Sequence, residues 1–331
     1  MLRSRGPRSK GQREGSPFTG LGPVFIKELS DHLSSTRMMV LTLFVIVFGA
    51  LPVGFALQTL REVTQSDQFL FLRIFTAEPQ QAPISFIAAL TFMIPLMAIG
   101  LGFDAVNSEF NRRTLSRVLS QPIYRDALLL GKFLGGLATL AVALTALFLI
   151  VFGAGLLLLG LPPRGPEVAR GLAFLAVAIA YGGVWLAVAM LFSVVFRSTA
   201  TSALCALGLW LFFFILWPMI AQAITTGFTP AQFRSVDEVL SLEAFSSGLQ
   251  RLSPGTLFGE AVVGLLQPET KTFGYFANLV MAQTRGMIQG TPLPFDQSLL
   301  LIWPQITGLI AGMIVVFAIA YIVFQREEVR A

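Results

Sequence analysis

Residues 133–161 read FLGGLATLAVALTALFLIVFGAGLLLLGL, with no Asp, Glu, Lys or Arg among them. A helix crosses the hydrocarbon core with about 20 predominantly apolar residues. This run is therefore long enough to span a bilayer, with length left for tilt or for extension beyond it. Residues 38–57, 84–103, 171–196, 199–225 and 298–324 pass the same test, each free of charge. Together they predict an all-α polytopic membrane protein with six transmembrane helices. Pro52, Pro95, Pro218 and Pro304 fall in or near the span ends, where neighbouring helices satisfy the carbonyl that a proline frees.

The composition agrees. Of 331 residues, 55% are hydrophobic and 12% charged, against roughly 25% charged in a soluble globular domain. A mean hydropathy of +0.75 leaves too little polar surface to cover the chain in water. The lone cysteine, Cys205, sits in an apolar run, which excludes a disulfide or thiolate metal cluster within one chain. The net charge of +5 does not point to nucleic acid. Arg3, Arg5, Arg8, Lys10 and Arg13 all precede the first apolar run, and such a cluster reads as a topology signal or a contact with anionic lipid.

Outward from the spans, residues 1–22 are rich in Arg, Gly, Ser and Pro without periodicity, which predicts a disordered cytosolic tail. The first apolar run starts too late and runs too long for a secretory signal. In residues 23–37, Phe25, Leu29 and Leu33 recur at every fourth position with Ile26 beside them, while Lys27, Glu28, Ser30, Asp31 and His32 fill the other side. That pattern predicts an amphipathic helix lying in the membrane interface. A short cytosolic tail, 327–331, follows the last span.

Lys and Arg set the orientation. With the N-terminus inside, the inner side carries fifteen of them and the short outer connections only four, Arg61, Arg73, Arg164 and Arg170. The long outer segment, 227–297, carries the rest and translocates largely regardless of charge. Both termini are thus expected in the cytosol. Within the outer segment, Thr229-Pro230 and Ser253-Pro254 each resemble an N-cap followed by proline at the first helical position. After the second, Leu257, Phe258, Ala261, Val262, Leu265 and Leu266 form an apolar stripe broken only by Glu260. A short helix on, or dipping into, the outer leaflet is expected.

Catalytic chemistry is hard to assemble from these residues. His32 is the one histidine and is expected to be solvated on the polar side of its helix. One His and one Cys leave no zinc-protease site and no Cys–His dyad. Gly131-Lys132 runs into Phe133, without the flanking glycine and hydroxyl of a phosphate-binding loop. The absence of acidic or basic residues within the spans counts against ion-coupled carriers, which usually keep one near the midplane.

The connection 104–132 carries more information. Leu115, Val118 and Leu119 give one apolar helical face, flanked by Arg112, Arg113, Ser116 and Arg117, and Ser120-Gln121-Pro122 ends the turn. A short amphipathic helix with a basic flank is suited to touch lipid headgroups or another protein. A solvated, positive inner loop is the plainer reading of Glu109, Arg112 and Arg113. Gly131 and Gly135 form a small-x-x-x-small pair that lets helices approach closely, although such pairs arise by chance in a glycine-rich chain.

The run Glu109, Arg113, Thr114, Leu115, Leu119, Pro122, Arg125 and Lys132 resembles the pattern after the second span of type-2 ABC exporter permeases. An interfacial elbow helix, six spans and a helical outer segment before the last span match that family in order. Leu252-Ser253-Pro254 with Ala261 resembles its Asn/Ser-Pro stretch. The outer segment is longer than the family's simplest members need. The resemblance implies two permease subunits, as a homodimer or a pair of homologues, with two separate ABC ATPase subunits in a cell (plasma or inner) membrane. It implies that Glu109, Arg112, Arg113, Thr114, Leu115, Leu119 and Pro122 contact the ATPase, which alone binds and hydrolyses ATP. This chain then has no catalytic residue, cofactor or metal of its own, and its partners are the ATPase, a second permease and the bilayer, not nucleic acid. The rival readings are a six-span secondary carrier or channel, and a non-transporting membrane assembly component.

Overall fold

The computed structural model describes residues 20–60, 69, 71–76, 85–111, 125–160, 162–228, 236–270, 273 and 292–326. In chain order these form α1 (Leu21–Ser34), α2 (Thr36–Leu60), α3 (Arg73–Thr76), α4 (Phe86–Gly102), α5 (Asn107–Asn111), α6 (Arg125–Leu159), α7 (Gly165–Val195), α8 (Thr199–Leu211), α9 (Trp217–Phe228), α10 (Val236–Gln250), α11 (Pro254–Leu266) and α12 (Phe295–Arg326). There is no strand among the described residues. Among the described residues, six helical stretches are long and apolar enough to cross a membrane: Thr36–Leu57, Phe86–Asn111, Asp126–Leu158, Gly165–Val195, Thr199–Phe228 and Phe295–Arg326. The tail at 1–19 and the candidate cap Thr229-Pro230 lie outside the described residues.

The six spans alternate in direction. The start of α2, α5, the start of α6, the α7–α8 junction and the end of α12 therefore share one end of the bundle, here the terminal end. The short α3 and the α10–α11 pair lie at the opposite, loop end. Several spans outrun the apolar runs that mark them, so charges assigned to connections sit inside helices. Lys132 is on α6, and Glu167 and Arg170 are on α7. The spanning helices are thus free of charge only over their central apolar runs.

The core is built around α7. In the most apolar stretch of each helix, 72% is buried for α7 but only 11% for α8–α9 and for α12. Phe174, Val177, Ala178, Tyr181 and Trp185 fill the centre. Leaving α8–α9 and α12 uncovered carries no hydrophobic penalty where the surroundings are lipid or a second apolar surface.

α11 enters the bundle. Phe258, Ala261, Val262 and Leu265 are wholly buried. Phe258 stacks on Tyr181 at 4.5 Å between ring centroids, and the Tyr181 hydroxyl donates to the Thr91 carbonyl at 3.0 Å. Ser253 is the N-cap residue and Pro254 opens the helix, as the sequence indicates, yet the Ser253 side chain makes no cap bond. It donates instead to the Phe213 carbonyl at 3.3 Å, in the fifth span. The reason lies at Pro218, which has no N–H and crowds the preceding turn. The helix there widens into a π segment, Phe212–Leu216, in which the Trp217 N–H bonds Phe212 O. A regular helix would have bonded that N–H to Phe213 O. Ser253 supplies the missing donor.

Arg170 ties the loop end together. Its Nη1 donates to Leu265 O at 2.8 Å and Ser298 Oγ at 2.9 Å, and its Nη2 to Leu293 O at 2.6 Å. The guanidinium faces the Phe69 and Phe295 rings at 5.7 and 6.0 Å. A cation at the carbonyl end of α11 also meets the negative pole of that helix. Beside it, Glu167 accepts from the Phe71 N–H and the Arg164 N–H at 3.1 and 2.7 Å, fixing the segment before α3 to the start of α7.

Candidate partner-coupling site at the terminal end

The segment that the sequence singles out begins at α5. Of its residues, Glu109 is described; Arg112, Arg113, Thr114, Leu115, Leu119 and Pro122 lie outside the described residues. What the structure gives is the foundation on which that segment stands.

α5 follows a tight turn after α4, and its first N–H groups have no partner within the helix. Ser193, on α7, accepts from the Val106 and Asn107 N–H groups at 2.9 and 3.2 Å. Asn107 donates from Nδ2 to Phe103 O and Phe196 O at 3.2 and 3.3 Å. At the far end of α5, Asn111 Nδ2 donates to Arg197 O at 3.0 Å. α5 is thus pinned to the α7–α8 junction along its whole length.

A second set of bonds joins α5 to the elbow helix α1. Lys132, 5% exposed, places its ammonium 2.8 Å from Glu28 Oε1 on α1 and 2.7 Å from Glu109 Oε1 on α5. Lys27 also reaches Glu28 Oε1, at 3.1 Å, and Asp31 at 2.9 Å. Removing one member of a buried ion pair typically costs about 3–5 kcal/mol, because the remaining charge stays buried without compensation. Burial alone would raise the Glu28 carboxyl, but the Lys132 ammonium and then Lys27 outweigh it and hold that carboxyl below its ordinary value. Burial pushes His32 below its usual value; Glu28 and Asp104 oppose that shift, while Arg37 and Lys132 add to it.

Why α1 lies here follows from two glycines. A Cβ on Gly131 would stand 2.7 Å from Val24 Cγ1, and one on Gly135 would stand 2.8 Å from Glu28 Cβ. The small pair is a groove in α6, and α1 occupies it. The seated face of α1 carries buried Val24 and Glu28, while Ile26 and Leu33 are exposed. The Phe25–Leu29–Leu33 stripe lies beside the seated face, with Phe25 and Leu29 half-buried and Leu33 exposed. His32, expected to be solvated, is half-buried on the seated side.

Two further links complete the ring. Arg37, at the start of α2, forms a two-pronged pair with Asp104 at 2.6 and 3.2 Å and covers the Phe103 ring at 5.1 Å. Being half-exposed, this pair contributes at most about 1 kcal/mol. Asp126 on α6 accepts from the Tyr321 hydroxyl at 3.0 Å and from Gln325 Nε2, both on α12.

Among the described residues no group of His, Cys, Asp or Glu could hold a metal. Named bonds connect α5 and the turn before it to α1, α2, α6 and the α7–α8 junction, and α6 to α12. The sequence pattern contains Glu109 and Lys132 but not their pairing. Glu28, Asn107, Asp104 and Ser193 were not singled out. Glu28 had one readable signal, its place in the Val24–Glu28–His32 spacing, which puts a carboxylate on the face that Val24 buries.

A family model described as "ABC-2 family transporter protein" matches residues 23–329. The probable ABC transporter permease protein NosY of Stutzerimonas stutzeri is 33% identical over 205 residues, covering 60% of this chain and 68% of that protein. The protein of the same description from Pseudomonas aeruginosa is 35% identical over 204 residues, covering 60% and 68%.

Proposed function

The chain belongs to the ABC-2 transporter family and is the permease subunit of an ABC transporter, and from that premise we propose that it is an exporter driven at its terminal end. A separate ABC ATPase docks on the segment holding Arg112, Arg113, Thr114, Leu115, Leu119 and Pro122. Leu115 and Leu119 are its apolar anchors, and the basic residues orient it. ATP is bound and hydrolysed in that partner. The observation that carries this reading is the position of α5, which leads directly into the docking segment and is bonded to the α7–α8 junction and, through Lys132, to α1 and α6.

In this reading the terminal end faces the cytosol of a plasma or inner membrane. The excess of Lys and Arg on that side supports it. Two permeases and two ATPases make up the particle. Lys132, Glu167, Arg170 and Glu260 are each engaged by protein partners, which favours an amphiphilic or uncharged cargo over a small ion.

The test is recovery of the ATPase subunit with Leu115→Ala/Leu119→Ala permease at matched membrane levels. An interface anchor contributes about 2 kcal/mol or more, so the double variant is expected to lose roughly tenfold or more in association. Equal recovery with wild type and variant would show that this segment is not the docking element.

A further inference from the structure

α1 rests on α6 at Gly131 and Gly135, which present no side chains to set its position along the groove. Packing against glycine permits close approach, and the register of α1 along the groove is marked by buried Val24 and by its polar bonds. Among those bonds, the buried one joins Glu28 to Lys132. The other carboxylate on Lys132 belongs to α5, at the root of the docking segment. α1 is joined to α2 through one extended residue, Ser35, with φ −79° and ψ 135°. The Ser35 hydroxyl donates to His32 O at 3.0 Å and accepts from the Met38 N–H at 3.2 Å. α1 is therefore joined to the first span through one residue and held on α6 by buried Val24 and by one buried cation.

A buried ion pair adds little stability over well-packed apolar residues of the same volume. α6 is in any case anchored by Leu140, Leu144, Leu147 and Val151. What the ammonium does, and an apolar side chain could not, is hold two carboxylates from separate elements in fixed relation.

We propose that Lys132 is a positioning residue that makes α1 and α5 move as one unit, so that displacement of the docking segment by the ATPase is carried into the elbow helix. This rests on the docking reading above and adds to it a second moving part. α1 follows the ATPase cycle instead of serving as a passive anchor in the lipid headgroups.

The experiment uses the full permease–ATPase complex in lipid nanodiscs. Spin labels are placed at Leu33→Cys on α1 and Ser241→Cys on α10, at the loop end away from the bonds of α5, on a Cys205→Ala background, and distances are measured without nucleotide and with ATP plus vanadate. The wild-type distance distribution is expected to shift with nucleotide, and Lys132→Arg to keep that shift. Glu28→Gln, which leaves Lys132 paired with Glu109, and Lys132→Met should each retain less than half of it while recovering the ATPase to within about twofold of wild type. Should Lys132→Met fail to assemble, Glu28→Gln decides. A full-size shift in Glu28→Gln would overturn the proposal and leave the docking reading intact. A wild-type distance that ignores nucleotide would also overturn the proposal, since α1 would then be a passive anchor, whereas the docking reading falls only if Leu115→Ala/Leu119→Ala recovers the ATPase as well as wild type does.

Discussion

Gly135 and Gly153 lie on the same helix and differ in what surrounds them. A methyl group at Gly135 would press on Glu28 Cβ at 2.8 Å and come within 3.6 Å of the α1 backbone, whereas one at Gly153 would meet nothing within 4 Å. Gly153→Ala should therefore be neutral or stabilising by up to roughly 1 kcal/mol, the usual gain from removing glycine inside a helix. Gly135→Ala should lower the unfolding temperature in detergent and unseat α1. Similar temperatures for the two variants would contradict the groove. Titration offers a second residue-scale test. The imidazole of His32, held below its usual value, stabilises the seated helix fully above about pH 6.5, and that contribution is lost as pH falls through the lowered value. The depressed Glu28 carboxyl contributes above about pH 4.3 and loses its contribution only as pH falls through its own lowered value. Thiol labelling of Val24→Cys, buried beneath α1, taken as a ratio to that of Ile26→Cys on the exposed side to cancel the falling thiolate fraction, should rise in two stages on acidification, and His32→Gln should remove only the first. A ratio that changes with pH in the same way in the parent and in His32→Gln would contradict the role given to His32.

Among the elements, the fifth span shows how a local disturbance is repaired at long range. Pro218 forces the π segment, the π segment strands the Phe213 carbonyl, and Ser253 satisfies it. Ser253→Ala should cost about 1–3 kcal/mol, the penalty for an unmet buried acceptor. Restoring the N–H with Pro218→Ala should recover part of it. Additive losses in the double variant, read from unfolding temperatures, would contradict the coupling. This also marks a boundary of what sequence can tell. Pro218 and Ser253-Pro254 were both legible as local signals, yet the Ser253–Phe213 bond that relates them joins residues distant in the chain and has no periodicity to betray it. α1 shows the same limit differently. Its stripe at Phe25, Leu29 and Leu33 was real, but lipid exacts no penalty for exposing Ile26 and Leu33, so the glycine groove and Lys132 decided which face is seated. Lys132 was hard to read because its two carboxylates come from helices distant in the chain.

For the whole molecule, the six spans were legible because apolar length is dictated by the bilayer and not by any partner. Their ends were not, because helices continue past the apolar run wherever buried partners such as those of Arg170 satisfy a charge. Orientation is a separate property and testable by itself. On a Cys205→Ala background, Ser241→Cys on α10 should react with an impermeant thiol reagent in intact cells, and Ser116→Cys should not. Reaction at Ser116→Cys from outside would reverse the assignment of the terminal end. The central claim is that this chain is a permease and works only as part of an ATP-driven assembly. Its most direct test is native mass measurement of the solubilised complex, with ATP hydrolysis followed on the same particles. The account predicts two permease chains and two ATPase chains in each active particle. A fully active particle holding one permease chain, or one with no ATPase subunit, would contradict it.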